Sequence, residues 1–250
     1  MLQTIPIPAF HDNYIWLLHN SRYAVVIDPG DADIVLEKLE SLQLKLTDIL
    51  VTHHHNDHIG GVSKLVDITQ AQVYASAYEH YFFQHHALQD GDKFSIPSLS
   101  MEFQVMWLPG HTSGHIAYLT HNMLFSGDVL FGAGCGRIFE GTPKEMLESL
   151  NKIKMLPPQT KIYAAHEYTL QNIAFALRLE PSNVNLINRQ YITREAIMHQ
   201  HPSLPTTLDL ELKTNPFLRC QLYEIIKNSG VDSTDELSVF TKIRELKNNY

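Results

Sequence analysis

The stretch VTHHHNDHIGG, Val51 to Gly61, sets His53, His54, His55, Asp57 and His58 within six positions. Imidazoles and a carboxylate this crowded repel once protonated and compete for hydrogen-bond partners, so a purely structural segment gains little from them. A metal site gains much, because imidazole nitrogen and carboxylate oxygen suit zinc, iron or manganese. The preceding run DILVT has the composition of a buried strand and Gly60-Gly61 opens a helix. The histidines therefore begin where a strand ends, the junction at which α/β sheets collect their sites. His53 and His55, two apart, project from one side of an extended segment, and alternation turns His54 away into a packing or supporting role. Asp57 and His58 lie beyond the bend and face the pair from another direction, so one loop can serve two ions. No thiolate accompanies them, which argues for an open, catalytic site over a closed structural one.

Three other strand ends carry matching donors. PGHTSGH, Pro109 to His115, places His111 after a Pro-Gly turn; LFSGD ends on Asp128; YAAHEY, Tyr163 to Tyr168, carries His166. On this reading His53, His55 and His111 hold one ion, Asp57, His58 and His166 the other, and Asp128 bridges them. On the residues alone, His115 competes with His111. Cys135 in GCGR has no evident partner base and is read as a buried thiol.

The first two-thirds of the chain alternates short β-branched or aromatic runs with helical patterns, and the remainder is almost wholly helical. Strands are expected in IWLLHN, YAVVID, DILVTH, QVYAS, LSMEFQVMWLP, HIAYLTH, MLFSGD and KIYAAH. Helices are expected in DADIVLEKLESLQ, GGVSKLVDI, PKEMLESLNKIKM, TLQNIAFALRLE and SNVNLINRQYITREAIMHQ. HPSLPTTLDLELKTNPF reads as a Pro-bearing connector before two final helices. Asp31 or Asp33 caps the first helix, and Ser233 with Glu236 has capping-box spacing for the last. The fold class is mixed α/β, with domains at 1–166 and 167–250.

Composition narrows the function. The 250 residues are 44% hydrophobic, enough for a sizeable core, and 19 Lys+Arg against 27 Asp+Glu give a net charge of −8. That balance disfavours a broad nucleic-acid or anionic-membrane footprint. The N-terminus lacks the cationic and apolar regions of a signal peptide, and no run approaches the roughly 20 apolar residues of a membrane span. Two cysteines are too few for a disulfide framework and fit a reducing, cytoplasmic setting.

The motifs THHHNDH, PGHTSGH, SGD and AAHEY, in that order, resemble the metallo-β-lactamase superfamily. Within it, AGCGRIFEGT (Ala133 to Thr142), LPTTLDLELKTNPFLR (Leu204 to Arg219) and the closing KIRELK resemble the glyoxalase II, or hydroxyacylglutathione hydrolase, family. The resemblance runs from Asn13 to Lys247. It implies an αββα sandwich followed by a smaller helical domain, and it prefers His111 over His115 as the ligand. It implies two divalent ions per chain, zinc first with iron or manganese as alternatives. The implied substrate is a glutathione thioester, typically S-D-lactoylglutathione from methylglyoxal detoxification. Arg137, Phe139, Tyr168, Arg244 and Lys247 are the substrate-binding candidates, with Arg244 and Lys247 on one helix face for the glycine carboxylate. Arg137 stands where some members carry Lys, and Phe139 where some carry Tyr, removing one hydroxyl.

The expected chemistry is attack by a hydroxide held between the ions and oriented by Asp57, since coordination brings the pKa of water from 15.7 to roughly 7. A monomer is expected, binding no nucleic acid or membrane. Alternatives on the same fold are another thioester hydrolase or a persulfide dioxygenase-like iron enzyme. The complete Asp57, His58 and His166 set disfavours the latter.

Overall fold

The computed structural model describes residues 2–250. The chain divides into two compact units, one comprising the chain to Trp107 with Ser113–Gly127, the other Leu108–Thr112 with Asp128–Tyr250.

The first unit begins with three antiparallel strands, β1 (Gln3–Ala9), β2 (Asn13–His19) and β3 (Tyr23–Ile27). Helix α1 (Ala32–Ser41) then returns the chain to β4 (Lys45–Leu50), parallel to β3. The short α2 (Asn56–Ile59) and α3 (Val62–Thr69) lead to β5 (Gln72–Ser76) and β6 (His86–Leu88), completing a sheet in the order β1 to β6. The central strands are buried on both faces and are correspondingly continuous in apolar residues, as in YAVVI. Asp31 caps α1 by accepting from the backbone N–H groups of Asp33 and Ile34. The buried stripe of α1 and α3, Val35, Leu39, Val62 and Leu65, packs with Leu17, Ala24, Val26 and Ile49 of the sheet. Each such fully buried side chain stabilises by about 1.5–3 kcal/mol relative to exposure.

Strands β7 (Lys93–Ile96), β8 (Met101–Trp107), β9 (Ile116–Thr120) and β10 (Met123–Gly127) form a second, antiparallel layer. It meets the first sheet through Tyr118, whose hydroxyl lies 2.8 Å from the Val51 carbonyl, and through Phe94, stacked on Tyr74 at 4.6 Å. Helix, sheet and sheet layers thus stand within this unit.

The second unit holds a two-stranded hairpin, β11 (Leu130–Phe131) and β12 (Gly134–Cys135), then α4 (Pro143–Lys154) and β13 (Lys161–Ala164). Helices α5 (Thr169–Leu179) and α6 (Val184–Met198) precede β14 (Thr206–Thr207), which pairs antiparallel with β13. Helices α7 (Leu208–Thr214), α8 (Tyr223–Ser229) and α9 (Glu236–Asn248) end the chain. Thr142 and Glu145 make a reciprocal capping box at α4, with Pro143 at its first position.

The N-terminal segment, given no element in the sequence analysis, is the edge strand β1, on which Pro6 and Pro8 lie two apart, so both missing N–H groups fall on one side of the chain. Two sequence expectations are corrected. The connector after His201 contains α7, capped by Thr207. The last helix is capped by Asp235, accepting from Ser238, while Ser233, two residues earlier, accepts from the Asp235 backbone N–H.

Candidate metal centre

In the first unit the His-rich loop leaves β4 in extended form and turns at His55, the N-cap of α2 (φ −64°, ψ 145°). His53 Nε2 and His55 Nδ1 stand 3.0 Å apart, and His58 Nε2 lies 3.4 Å from Asp57 Oδ2. Asn13 donates to Asp57 Oδ2 at 2.9 Å and so fixes that carboxylate's rotamer. His54 turns away, as alternation requires, and its Nδ1 lies 3.2 Å from the buried Glu79 carboxylate.

Sequence reasoning missed Asp28. It ends β3 in the left-handed region (φ 55°) and is 4% exposed. Its carboxylate accepts from the Thr52 backbone N–H at 2.7 Å and the Thr52 hydroxyl at 2.8 Å, and lies 3.0 Å from His58 Nδ1. Such a carboxylate behind an imidazole holds the ring's orientation and leaves Nε2 for an ion. The signal was available in VIDPGD, an acid closing an apolar strand before Pro-Gly.

In the second unit His111 Nδ1 donates to the Arg137 carbonyl at 2.7 Å, so that in the neutral ring Nε2, 3.4 Å from Asp128 Oδ2, is the nitrogen with the lone pair. His166 Nε2 lies 3.4 Å from the same oxygen, and its ring is stacked on Tyr168 at 4.8 Å. Gly136 is required here: a Cβ would meet the Asp128 carbonyl oxygen at 1.9 Å and His111 Nδ1 at 3.3 Å.

Within the first unit His53, His55, Asp57 and His58 bring their ligand atoms together, and within the second His111, Asp128 and His166 do. These are the seven residues singled out in the sequence. Two ligands of a tetrahedral ion with bonds of about 2.0–2.1 Å stand ~3.3 Å apart. The separations of 3.0–3.4 Å quoted above suit shared coordination, and at 3.4 Å they are long for hydrogen bonds. Borderline nitrogen and oxygen donors without a thiolate fit a divalent ion. Burial pushes the Cys135 thiol up, against the lowering effect of Arg244, so it is a poor nucleophile.

Of the substrate-binding candidates, Phe139 is 61% exposed and sits edge-on to the His111 ring at 5.3 Å. Arg137 is exposed, with Nη2 donating to the Asn248 carbonyl at 3.2 Å. Arg244 and Lys247 lie one turn apart on α9, as the spacing requires. Arg244 is 6% exposed, and its Nη1 donates to the Cys135 carbonyl at 2.6 Å and the Gly136 carbonyl at 3.3 Å. It is therefore more embedded than a simple surface fork. Lys247 is half-buried between the Phe175 and Tyr250 rings, at 5.5 and 5.0 Å, and burial together with the neighbouring Arg244 lowers its pKa to about 8.

The sequence matches the metallo-β-lactamase superfamily over residues 9–166 and the hydroxyacylglutathione hydrolase C-terminus over 167–250. Hydroxyacylglutathione hydrolase of Methylobacillus flagellatus is 52% identical over the whole of both chains. The Nitrosomonas eutropha and Vibrio campbellii enzymes of that name are 47% and 49% identical, again over all of both chains. Among solved structures, the BLEG-1 B3 metallo-β-lactamase is similar with a TM-score of 0.65 and 27% identity, covering 87% of this chain and 99% of its own. ETHE1 from Myxococcus xanthus matches at a TM-score of 0.67 and 23% identity, over 99% of this chain and 98% of its own, a likeness of fold. With a His and Asp donor set clustered for divalent ions on this fold, and identity near one half along its whole length, the chain belongs to the hydroxyacylglutathione hydrolase family of the metallo-β-lactamase superfamily.

Proposed function

We propose that the protein hydrolyses S-(2-hydroxyacyl)glutathione thioesters, typically S-D-lactoylglutathione to D-lactate and glutathione, the second step of methylglyoxal detoxification. The observation that carries this is a His and Asp donor set at shared-ligand separations within each unit, in a chain about half identical, end to end, to hydroxyacylglutathione hydrolases. His53, His55 and His111 would hold one divalent ion, Asp57, His58 and His166 a second, with Asp128 common to both. Zinc is the first choice, with iron or manganese as alternatives; a similar structure at 25% identity, a TM-score of 0.62 and 86% coverage of this chain is of a di-iron-bound form. When bound, the ions would supply a nucleophile at neutral pH by lowering the pKa of water and would offset charge developing on the carbonyl oxygen.

The chain's own residues do the rest. Asp57, fixed by Asn13, orients the nucleophile through its carboxylate. Asp28 holds the His58 ring, and the Arg137 carbonyl holds the His111 tautomer. Phe139 and Tyr168, packed against the His111 and His166 rings, wall the acyl end. Arg137, Arg244 and Lys247 receive the anionic glutathione moiety. The leaving group is a thiolate, which departs without a strong general acid. We assign the catalytic domain to 1–166 and the substrate-binding helical domain to 167–250, and expect a cytoplasmic monomer. Among the described residues no helix is long and apolar enough to cross a membrane.

The test is to offer purified protein S-D-lactoylglutathione, follow thiol release, and measure bound metals in the same preparation. Absence of turnover in metal-replete protein would refute the substrate assignment, and full activity with under one ion per chain would refute the binuclear one.

A further inference from the structure

The hairpin that follows Asp128 is an improbable piece of structure by itself. Two strands of two residues, β11 and β12, are joined by Gly132-Ala133, and Ala133 takes a left-handed φ of 54°, disfavoured for a residue with a Cβ. An isolated hairpin of this size has no stability of its own. Every residue from Val129 to Gly136 is nevertheless buried.

Its polar backbone is satisfied by four side chains reaching in from α5, α7 with its C-cap, and α9. Asn172 donates to the Gly132 carbonyl at 3.1 Å. Asn215 donates to the Gly134 carbonyl at 2.9 Å and the Phe131 carbonyl at 3.3 Å. Arg244 takes the Cys135 and Gly136 carbonyls. The strained residue itself is held by Glu211, whose Oε2 accepts from the Ala133 N–H at 2.8 Å and from Asn215 Nδ2 at 3.0 Å. Glu211 is fully buried, and its other oxygen is paired with Arg189 Nη2 at 2.5 Å. Arg189, 5% exposed, is fixed in turn by Thr214 and Thr206.

What this clamp holds decides its meaning. The hairpin begins just after Asp128, whose Oδ2 faces both His111 and His166. It ends at Cys135, two residues before Arg137, whose carbonyl fixes His111 Nδ1. A shift of the turn is therefore carried at one end into a shared carboxylate and at the other into the acceptor that selects an imidazole tautomer. We propose that Glu211, locked by Arg189, is a positioning residue for thioester hydrolysis: through the Ala133 N–H it sets the hairpin that aims Asp128 and His111. This deepens the reading given under Proposed function and rests on it.

A purely structural ion pair and a positioning acceptor are separable. Replacing a buried pair by apolar residues of similar volume is often neutral for stability, whereas removing one partner leaves a costly buried charge. Arg189→Met should therefore have the lower Tm, and the double variant Arg189→Met, Glu211→Leu should recover most of it. Activity should run the other way. Arg189→Met keeps both carboxylate oxygens and so the acceptor for Ala133, and folded enzyme should retain kcat within about threefold. The double variant, lacking that acceptor, should lose kcat by about tenfold or more, with a smaller change in KM. Zinc affinity by chelator competition should fall by about tenfold in the double variant and hold in Arg189→Met. A folded double variant with wild-type kcat and zinc affinity would overturn the proposal. Should the double variant not fold, Glu211→Gln decides: Arg189 draws the one amide oxygen and turns the NH2 toward the Ala133 N–H, so folded protein should lose about tenfold in kcat and in zinc affinity, and wild-type values of both would overturn the proposal. If wild-type protein fails to hydrolyse S-D-lactoylglutathione, the substrate reading fails, while the order of zinc affinities still judges the positioning role.

Discussion

The role proposed for Lys247 would make substrate binding depend on pH in a calculable way. Its ammonium lies half-buried against Phe175 and Tyr250, and burial and Arg244 bring its pKa to about 8 from the usual 10.5. If the charged form receives the glycine carboxylate, apparent affinity scales with the protonated fraction. For a pKa near 8 that fraction is about 0.9 at pH 7 and about 0.1 at pH 9, so KM should rise about tenfold across that interval. The carboxylate favours the charged form, so binding should take up about half a proton at pH 8, measurable by calorimetry in buffers of different ionisation enthalpy. The stability sign is opposite to that of an ordinary ion pair. Because the folded pKa lies below the unfolded one, the charged form destabilises the fold below pH 8, and that cost is relieved as pH rises from about 8 to 10.5. Lys247→Arg should flatten the KM profile, and Lys247→Met should give a high KM that no longer varies. A wild-type KM independent of pH between 7 and 9, with no proton uptake, would refute the role assigned to Lys247.

Other outcomes are equally definite. Asp128→Ala should reduce elemental metal content at both sites together, because one oxygen lies 3.4 Å from both His111 and His166 nitrogens; loss of a single ion per chain would show that Asp128 serves one site. Asp28→Ala should weaken metal affinity or kcat/KM by about 10–100-fold, the usual cost of removing the group behind a ligating imidazole, and wild-type values would show that Thr52 and packing alone orient His58. Gly136→Ala should lower activity severely, since its Cβ would fall 1.9 Å from the Asp128 carbonyl oxygen, and a crystal structure with Asp128 unmoved would contradict this. Iodoacetamide should label Cys135 only after unfolding, and rapid labelling of native protein by mass spectrometry would show the thiol is neither buried nor raised.

The local chemistry of the ligand loop was legible in sequence because it depends on neighbours in the chain. Alternation separates His54 from His53 and His55, and the two glycines mark the turn into helix, so the sides of these residues follow from backbone geometry alone. His111, Asp128 and His166 were legible as strand-end residues for the same reason, and the run DILVT leading into the ligand loop announced a buried strand by its composition. Family resemblance supplied the substrate, which no spacing encodes. Tertiary structure alone decided the rest. Asp28 supports His58 from 30 positions away, and nothing in either local segment specifies that pairing. The edge strand β1 overrides its prolines because both lie on one side of the pairing. Most plainly, the left-handed Ala133 and the marginal hairpin around it have no local cause; they exist because Glu211, Asn215, Asn172 and Arg244, brought in from distant helices, satisfy backbone groups that a two-stranded turn cannot satisfy for itself.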